Sequence, residues 1–260
     1  LPGMLWGKSL RSPYPHAKII EIDTDAARSL PGVRAVLTGS DVRGVLYGRR
    51  LRDIPVLAWD HVRFAGERVA AVAADSEEIA EFALNLIRVE YEELEPLLDP
   101  LEAMKNEARL IHPGMMEYEG FPRLPEKLSN VFIHSEWGKG DMEFGFAEAD
   151  LIIENTFTTP QQHQAYLEPH TCLVSIDNDG QVQVWASNKS PYSLRQQLAD
   201  ATNRHPEQFH VNFAAIGGDF GGKGSPMDVP LCYYLAMHSG RPVKMVMDYI
   251  EEFMAANPRH

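Results

Sequence analysis

A glycine-rich run constrains the fold of this chain more than any other sequence feature. It reads GGDFGGKG over residues 217–224, and four of its glycines flank one aromatic residue, Phe220. Glycine adopts positive φ at little steric cost and lets a backbone approach a ligand closely. A plain turn from a strand to a helix needs fewer glycines. The run therefore predicts either a tight turn or a cradle for an anion or a cofactor.

The segments that flank the run predict a strand–helix–strand unit. A strand at 209–216 precedes the run, a helix at about 226–239 follows and ends at Gly240, and a strand at 242–248 comes next. Strands joined through a helix in this way indicate a parallel crossover.

Four more strands are predicted upstream of the run, over residues 131–137, 150–159, 171–177 and 181–187. Asn-Asp-Gly at 178–180 separates the last two, which is a strong hairpin signal. A helix over 191–203 follows, with Pro191 in its first turn.

The start of the chain alternates between short β-branched segments and two helical patterns, which predicts a compact α+β unit. The predicted strands and helices lie at 17–23, 24–32 (helix), 33–39, 68–75, 76–86 (helix) and 87–94. Asp75 is the predicted cap of the second helix, and Glu78 would complete a capping box.

A change of composition separates this unit from the second half of the chain. Prolines and glycines interrupt any continuous sheet there, at Pro100, Pro113, Gly114, Gly120, Pro122 and Pro125. We therefore predict domains at 1–98 and 131–260, joined by a connector at 99–130 with a helix over 100–107.

Charge and cysteine content exclude several classes of protein. The 37 acidic residues outnumber the 24 basic ones, giving a net charge of −13, which disfavours nucleic acid as the main partner. No apolar run reaches the ~20 residues of a membrane span, and no secretory signal precedes the first strand. The first residue, Leu1, is not Met, which leaves room for a longer natural N terminus.

The two cysteines, Cys172 and Cys232, each stand between apolar residues and are predicted to be small buried side chains. Two cysteines are too few for an iron–sulfur or tetracysteine zinc site. The absence of a disulfide framework favours a cytoplasmic location.

A nucleotide-binding phosphate loop is a remote alternative for the glycine run. Gly217, Gly222 and Lys223 match the first seven positions of that pattern, and Asp248 ends the next strand, where a magnesium-binding acid would stand. Gly224, however, occupies the place of the required Ser or Thr, and no G-x-G-x-x-G occurs. A P-loop-like NTPase is therefore disfavoured.

The glycine run resembles the GGGFGGK loop of the molybdenum hydroxylases, the xanthine dehydrogenase and aldehyde oxidase family. Other segments resemble this family in the same order, and together they cover nearly the whole chain. They are the two halves of an α/β hammerhead domain (11–41 and 62–96) and, from the molybdopterin-binding region, AYLEPH (165–170), VWASNKSP (184–191) and 239–260.

The resemblance implies an α+β fold in which an α/β hammerhead domain precedes the first part of a mixed α/β molybdopterin-binding domain. In this family a pterin dithiolene holds the molybdenum, so no side chain is expected to bind the metal. The residues implied in cofactor binding are Lys189, Gly218, Asp219, Phe220, Gly221 and Gly222. The N–H groups around Phe220 and Gly221 would face the metal's oxo group.

The resemblance also implies the hydroxylation of an aldehyde or N-heterocycle with water as the oxygen source. Electrons would pass to a 2Fe-2S cluster and FAD on other domains or subunits, so we expect a hetero-oligomer. The family's general-base glutamate lies beyond the position of His260, so no catalytic residue is expected here and this chain alone would be inactive. The alternative is a degenerate, non-catalytic homologue that serves subunit assembly.

Two positions depart from the family pattern. Lys189 takes the place of a glutamine beside the oxo group, where a cation would bind the oxo group or favour an anionic substrate; otherwise it points to solvent in a rewired site. Gly224 replaces the glutamate with which purine-oxidising members bind substrate, which makes xanthine a weaker candidate. Glu168 is expected to anchor the backbone near the site, while His163 and His170 are expected in the core or on the surface.

Overall fold

The computed structural model describes residues 1–121 and 125–259. The strands in this part of the chain are β1 (Leu5–Arg11), β2 (Ala17–Asp23), β3 (Val33–Thr38), β4 (Leu46–Tyr47), β5 (Ile54–Pro55), β6 (His61–Val62), β7 (Arg68–Ala74), β8 (Arg88–Glu93), β9 (Thr171–Ile176), β10 (Val182–Ala186), β11 (Phe209–Asn212) and β12 (Val243–Val246). The α-helices are α1 (Asp25–Arg28), α2 (Glu77–Leu84), α3 (Pro100–Ala103), α4 (Met142–Ala147), α5 (Pro191–Thr202), α6 (Val229–Ser239) and α7 (Tyr249–Ala255). Short 3₁₀ helices occupy Met115–Glu117 and Pro206–Gln208.

One mixed sheet runs through both halves of the chain. Its seven strands lie in the order β11-β10-β9-β12-β1-β7-β3, and a separate three-stranded sheet has the order β6-β2-β8. The halves meet where β1 pairs in parallel with β12, with Leu5 opposite Val243. The domain boundaries at 98 and 131 remain a prediction. The seven-stranded sheet contains strands from both sides of these boundaries, so it does not mark where one domain ends.

Strand β7 lies at the centre of the first half and is buried along its whole length. Ala71 and Ala73 belong to the core cluster that includes α6, whereas Val72 and Ala74 belong to the cluster that includes α2. Side chains alternate between the two faces of a strand, so a strand covered on both sides needs an unbroken apolar sequence. The alanine-rich run VAAVAA that follows Arg68 meets this requirement and leaves room for a helix on each face.

The predicted elements around the glycine run are present. β9 and β10 form an antiparallel hairpin, and β10 and β11 are parallel neighbours joined through α5. β11 and β12 point in the same direction, as the crossover predicted, but β10 and β9 lie between them. Gly240 ends α6 with a φ of 65°. The loop at 217–224 therefore leaves the edge strand β11 and runs into α6.

The strands predicted at 131–137 and 150–159 are wrong. Neither segment is a strand, and α4 lies between them. Leu151 and Ile153 are 76% and 73% exposed. A strand needs a neighbour for its N–H and C=O groups, and the described part of the chain places none beside 150–159. The β-branched composition alone could not supply that neighbour.

The predicted cap of α2 is also wrong by one residue. The Oγ of Ser76, not Asp75, accepts the hydrogen bond from the amide of Ile79, at 3.3 Å. The carboxylate of Asp75 instead accepts hydrogen bonds from Arg34 and Arg241. Ser, like Asp, can cap a helix. Asp75 does not cap α2 because its carboxylate binds two arginines that are distant in the sequence.

Three further predictions concern the connector helix, the two cysteines and membrane-spanning segments. The predicted helix over 100–107 is shorter, since α3 spans Pro100–Ala103, and Pro122 lies outside the described residues. Cys172 and Cys232 are both buried, as predicted. Among the described residues, no helix combines the length and apolarity needed to cross a bilayer.

A buried charge cluster joins the first half of the chain to the start of α6. Asp228 accepts hydrogen bonds from Arg11 in β1 at 3.0 Å and from Arg68 in β7 at 2.9 Å. Arg68 also donates to the carbonyl of Met227 at 2.6 Å and holds this residue at a φ of 47°. Burial raises the pKa of Asp228, but Arg11 and Arg68 outweigh burial and hold it below its usual value. The cluster thereby sets where α6 begins.

We expect Asp228→Asn to lower the free energy of unfolding by about 3–5 kcal/mol, because it leaves the buried guanidinium group of Arg68 without a carboxylate and Arg11 with Glu251 alone. The measurement is urea unfolding near neutral pH. The native pKa of Asp228 is depressed, so its contribution is present above the unfolded pKa and is lost as pH falls through the native pKa. The variant should therefore lose less stability than the parent in acid.

Lys18→Gln is the control, because Lys18 and its partner Glu92 form an exposed pair, and such pairs contribute about 0–1 kcal/mol. Equal losses in the two variants would contradict a structural role for the buried cluster.

Candidate functional site

The glycine loop adopts a backbone that few residues other than glycine tolerate. Gly218 and Gly221 have φ values of 102° and 98°, and Phe220 between them has a φ of 45°. A bulky residue in the left-handed region is rare and persists only when its surroundings enforce it. The side chain of Phe220 makes no compensating core contact, since it is 71% exposed. The loop therefore turns its aromatic ring outward and its backbone inward.

Asp219 holds this backbone in place. Its Oδ1 accepts the amide of Lys223 at 2.6 Å, and its Oδ2 accepts the amide of Gly221 at 3.0 Å. The Nζ of Lys189, arriving from the end of β10, also donates to Oδ2 at 2.8 Å. Burial raises the pKa of Asp219, but these hydrogen bonds outweigh burial and keep it below its usual range. The carboxylate is thus ionised and neutralised by Lys189.

Three successive amides of the loop remain unpaired. Within residues 1–121 and 125–259, no group accepts a hydrogen bond from the N–H of Gly218, Asp219 or Phe220. Backbone N–H groups are strong donors, and several that converge in a turn form an anion-binding concavity. The loop therefore presents these three N–H donors to a ligand. The carboxylate of Asp219 accepts the amides of Gly221 and Lys223, and these hydrogen bonds stabilise the loop.

A half-buried ion pair lies beneath the loop. Lys223 is fully buried, its Nζ donates to Oε2 of Glu168 at 2.6 Å, and it lies 4.7 Å from the centre of the Tyr166 ring. The same oxygen of Glu168 accepts the amide of Gly217 at 2.9 Å. Burial raises the pKa of Glu168, but Lys223 and the Gly217 amide outweigh burial and lower it. Glu168 anchors the loop backbone, as expected.

The position of Lys223 argues against the phosphate-loop alternative. A phosphate-loop lysine must reach the phosphates of a nucleotide, whereas this ammonium is buried on Glu168. Asp248, the candidate magnesium ligand, caps α7 by accepting the amide of Glu251 at 2.7 Å. Neither side chain is free for the role that the alternative requires.

Two of the loop glycines serve packing instead of ligand binding. A Cβ on Gly217 would lie 2.6 Å from Cβ of Glu168, and one on Gly222 would lie 2.7 Å from Cε1 of Tyr166. Gly218 and Gly221, by contrast, supply the positive φ of the turn. The unusual number of glycines therefore has two causes, a close approach to segment 165–170 and a left-handed backbone.

Glu252 is a site residue that sequence reasoning missed. It is fully buried, its Oε2 accepts the hydroxyl of Tyr166 at 2.6 Å, and its carboxylate contacts Nδ1 of His170 at 2.9 Å. His163 also lies nearby, with its Nε2 3.8 Å from Oε2 of Glu252. The sequence shows only two adjacent acids in α7, and nothing in that pattern reveals which one turns inward.

The structure brings all six predicted site residues together. Gly218, Asp219, Phe220, Gly221 and Gly222 form the loop, and Lys189 reaches it through Asp219. Gly224 lies beside Lys189, since a Cβ there would be 3.4 Å from Cε of that lysine. A role for these residues in binding a cofactor stays a prediction.

We expect Gly222→Ala to lower the free energy of unfolding by about 1–3 kcal/mol, because the added methyl group overlaps the buried ring of Tyr166. Gly138→Ala is the matched control, since a Cβ at Gly138 meets no atom within 4 Å. Thermal and urea unfolding of both variants provide the comparison. Equal stability would contradict the packing role of Gly222.

We expect Glu168→Gln to lower the free energy of unfolding by about 3 kcal/mol, because it leaves the buried ammonium group of Lys223 without its carboxylate. The double variant Glu168→Gln/Lys223→Met should recover part of this loss, since it buries no unpaired charge. Urea unfolding of the two single variants and the double variant measures the coupling. A double variant whose loss equals the sum of both single losses would show that the pair does not interact.

Comparison with known proteins agrees with this geometry. A family model of the molybdopterin cofactor-binding domain matches residues 124–260. A model of the a/b hammerhead domain of aldehyde oxidase and xanthine dehydrogenase matches residues 1–95. The two matches lie in the order that the glycine run and its companion segments predicted.

Individual relatives agree with the family models. A probable xanthine dehydrogenase subunit of Bacillus subtilis is 37% identical over 100% of this chain and 33% of its own length. The nicotinate dehydrogenase large molybdopterin subunit of Eubacterium barkeri is 30% identical over 100% of this chain and 58% of its own length. A crystal structure of the Cu,Mo-CO dehydrogenase superposes with a TM-score of 0.85 at 29% identity, over 100% of this chain and 34% of that chain.

The chain thus spans about a third of the length of the Bacillus relative, which places its 260 residues against one portion of a larger molecule. The two family models cover nearly all of this portion, and the solved structure superposes over its whole length. The chain belongs to the aldehyde oxidase and xanthine dehydrogenase family of molybdenum hydroxylases, with a hammerhead domain followed by a molybdopterin cofactor-binding domain.

Proposed function

We propose that this chain supplies the first part of the molybdopterin-binding subunit of a hydroxylase that oxidises an aldehyde or an N-heterocycle, with water as the oxygen source. The observation that carries the proposal is the row of unpaired amides at Gly218, Asp219 and Phe220. The names of the relatives support the substrate class, since they include a probable xanthine dehydrogenase and a nicotinate dehydrogenase.

The residues present fit a pterin-held molybdenum cofactor. The free N–H groups of Gly218, Asp219 and Phe220 suit the anionic oxygen atoms of such a cofactor. When bound, the cofactor supplies a redox-active metal at which a substrate carbon is hydroxylated and two electrons are collected. The chain holds the loop amides ready for that group, because donors fixed in advance need no reorganisation during the reaction.

The loop is held from two sides. Asp219 fixes the amides of Gly221 and Lys223, and Glu168 fixes that of Gly217. The side chain of Phe220 stands at the exposed edge, where it can contact a flat substrate. In this proposal the general-base glutamate and the rest of the cofactor cage come from polypeptide outside this chain. A 2Fe-2S unit and an FAD unit accept the electrons in a hetero-oligomer.

A second candidate is a non-catalytic homologue that serves subunit assembly. Lys189 supports it, because its ammonium is already bound to Asp219. Gly224, which replaces a family glutamate, supports it as well. The buried charge cluster around Asp228 would be needed in either case, since it joins the two halves of the chain.

Metal and pterin analysis distinguishes the two candidates. We expect the complex, purified with its natural partners, to contain about one molybdenum and one pterin per chain and to oxidise an aldehyde or an N-heterocycle. Asp219→Ala, which frees the amides of Gly221 and Lys223, should lower both contents. Asp179→Ala, at the exposed tip of the β9–β10 hairpin, should lower neither. A complex that lacks molybdenum and pterin would favour the assembly role.

A further inference from the structure

Three cationic side chains border the glycine loop. A Cβ on Gly224 would lie 3.4 Å from Cε of Lys189 and 3.9 Å from Nη1 of Arg49. A Cβ on Gly221 would overlap the guanidinium group of Arg259. Gly221 and Gly224 are three residues apart, so at most about 11 Å separates their Cα atoms. The three cations therefore all lie beside one short stretch of the loop backbone, residues 221–224.

The two guanidinium groups are not engaged elsewhere. Among residues 1–121 and 125–259, neither Arg49 nor Arg259 forms a side-chain hydrogen bond or an ion pair, and both residues are exposed. Lys189 uses one donor on Asp219 and retains two. Because the protein carries a net charge of −13, a local excess of positive charge at one loop is not a property of the general surface.

Phe220 belongs to the same loop and directly precedes Gly221. Its ring is 71% exposed, on a residue whose amide is unpaired. An exposed aromatic face stacks on a flat ring, and arginine binds carboxylates through paired N–H donors. The loop thus presents a surface for a ring beside a surface for an anion. Lys189 and Arg49 lie beside Gly224, and Arg259 lies beside Gly221, the residue that follows Phe220.

We propose that the site takes an anionic substrate, an aromatic aldehyde or N-heterocycle that carries a carboxylate, and that Arg49, Lys189 and Arg259 bind this carboxylate. The inference rests on the proposed function and adds the charge of the substrate to it. The same cations could meet a phosphate of the cofactor, which is the other source of an anion near this loop. The two sources give different results in the experiment below.

The experiment compares ligands that differ only in charge, with the assembled complex purified with its natural partners. Nicotinate and nicotinamide are matched in ring and size, and their dissociation constants are measured by calorimetry. We expect nicotinate to bind at least about tenfold more tightly. Arg49→Gln and Arg259→Gln should each weaken nicotinate by about tenfold, the loss expected for one hydrogen bond to a charged group. Nicotinamide should be unaffected.

Arg43→Gln is the matched control, since Arg43 is an exposed arginine near Arg49 in the sequence and is not among the side chains nearest to the loop glycines. It should leave both dissociation constants unchanged. Higher salt should weaken nicotinate binding to the parent but not nicotinamide binding. Equal binding of the two ligands, or binding of neither, would overturn the inference.

Cofactor content separates the two sources of the anion. Unchanged molybdenum and pterin in the two arginine variants, with reduced discrimination between the ligands, supports a substrate carboxylate. Loss of cofactor with unchanged discrimination assigns the cations to the cofactor and overturns the inference. Turnover of benzaldehyde and 4-carboxybenzaldehyde completes the design. A complex that contains molybdenum and oxidises both equally would retain the proposed function while refuting the anionic preference.

Discussion

The buried carboxylate of Asp228 ties the two halves of the chain together at the residue where α6 begins. Its partners, Arg11 and Arg68, come from β1 and β7, which the chain completes long before it reaches α6. A buried charge is tolerated only when it is paired, so Asp228 requires the two arginines, and Arg68 requires Asp228 as its carboxylate. Because the glycine loop runs directly into α6, this cluster also positions the loop against the sheet.

Carboxylates organise the site more than any apolar contact does. Asp219, Glu168 and Glu252 each accept hydrogen bonds from residues that are distant in the sequence or from the loop backbone. Glu168 accepts the amide of Gly217, and Asp219 accepts those of Gly221 and Lys223. The amides of residues 218–220, which lie between these positions, stay free as donors. Rigid donors of this kind stabilise anionic oxygen atoms without reorganising, which suits a loop that faces a cofactor.

Local patterns predicted the elements whose signals are local. The hairpin of β9 and β10, the helix that begins at Pro191 and the buried strand β7 follow from turn residues, a helix-start proline and an unbroken apolar run. Segments 131–137 and 150–159 show the limit of that reasoning. Their composition favours strands, but the described residues include no neighbouring strand to pair with them.

The sequence by itself determined the family, the order of the strands and helices around the loop, and the need for a glycine backbone at 217–224. Only the tertiary structure decided how those glycines divide between packing and turning, and that Lys223 is buried on Glu168 while Lys189 binds Asp219. The reason is the distance along the chain. Glu168 and Lys223 are 55 residues apart, and no periodic or turn signal links side chains that meet only after the sheet has formed.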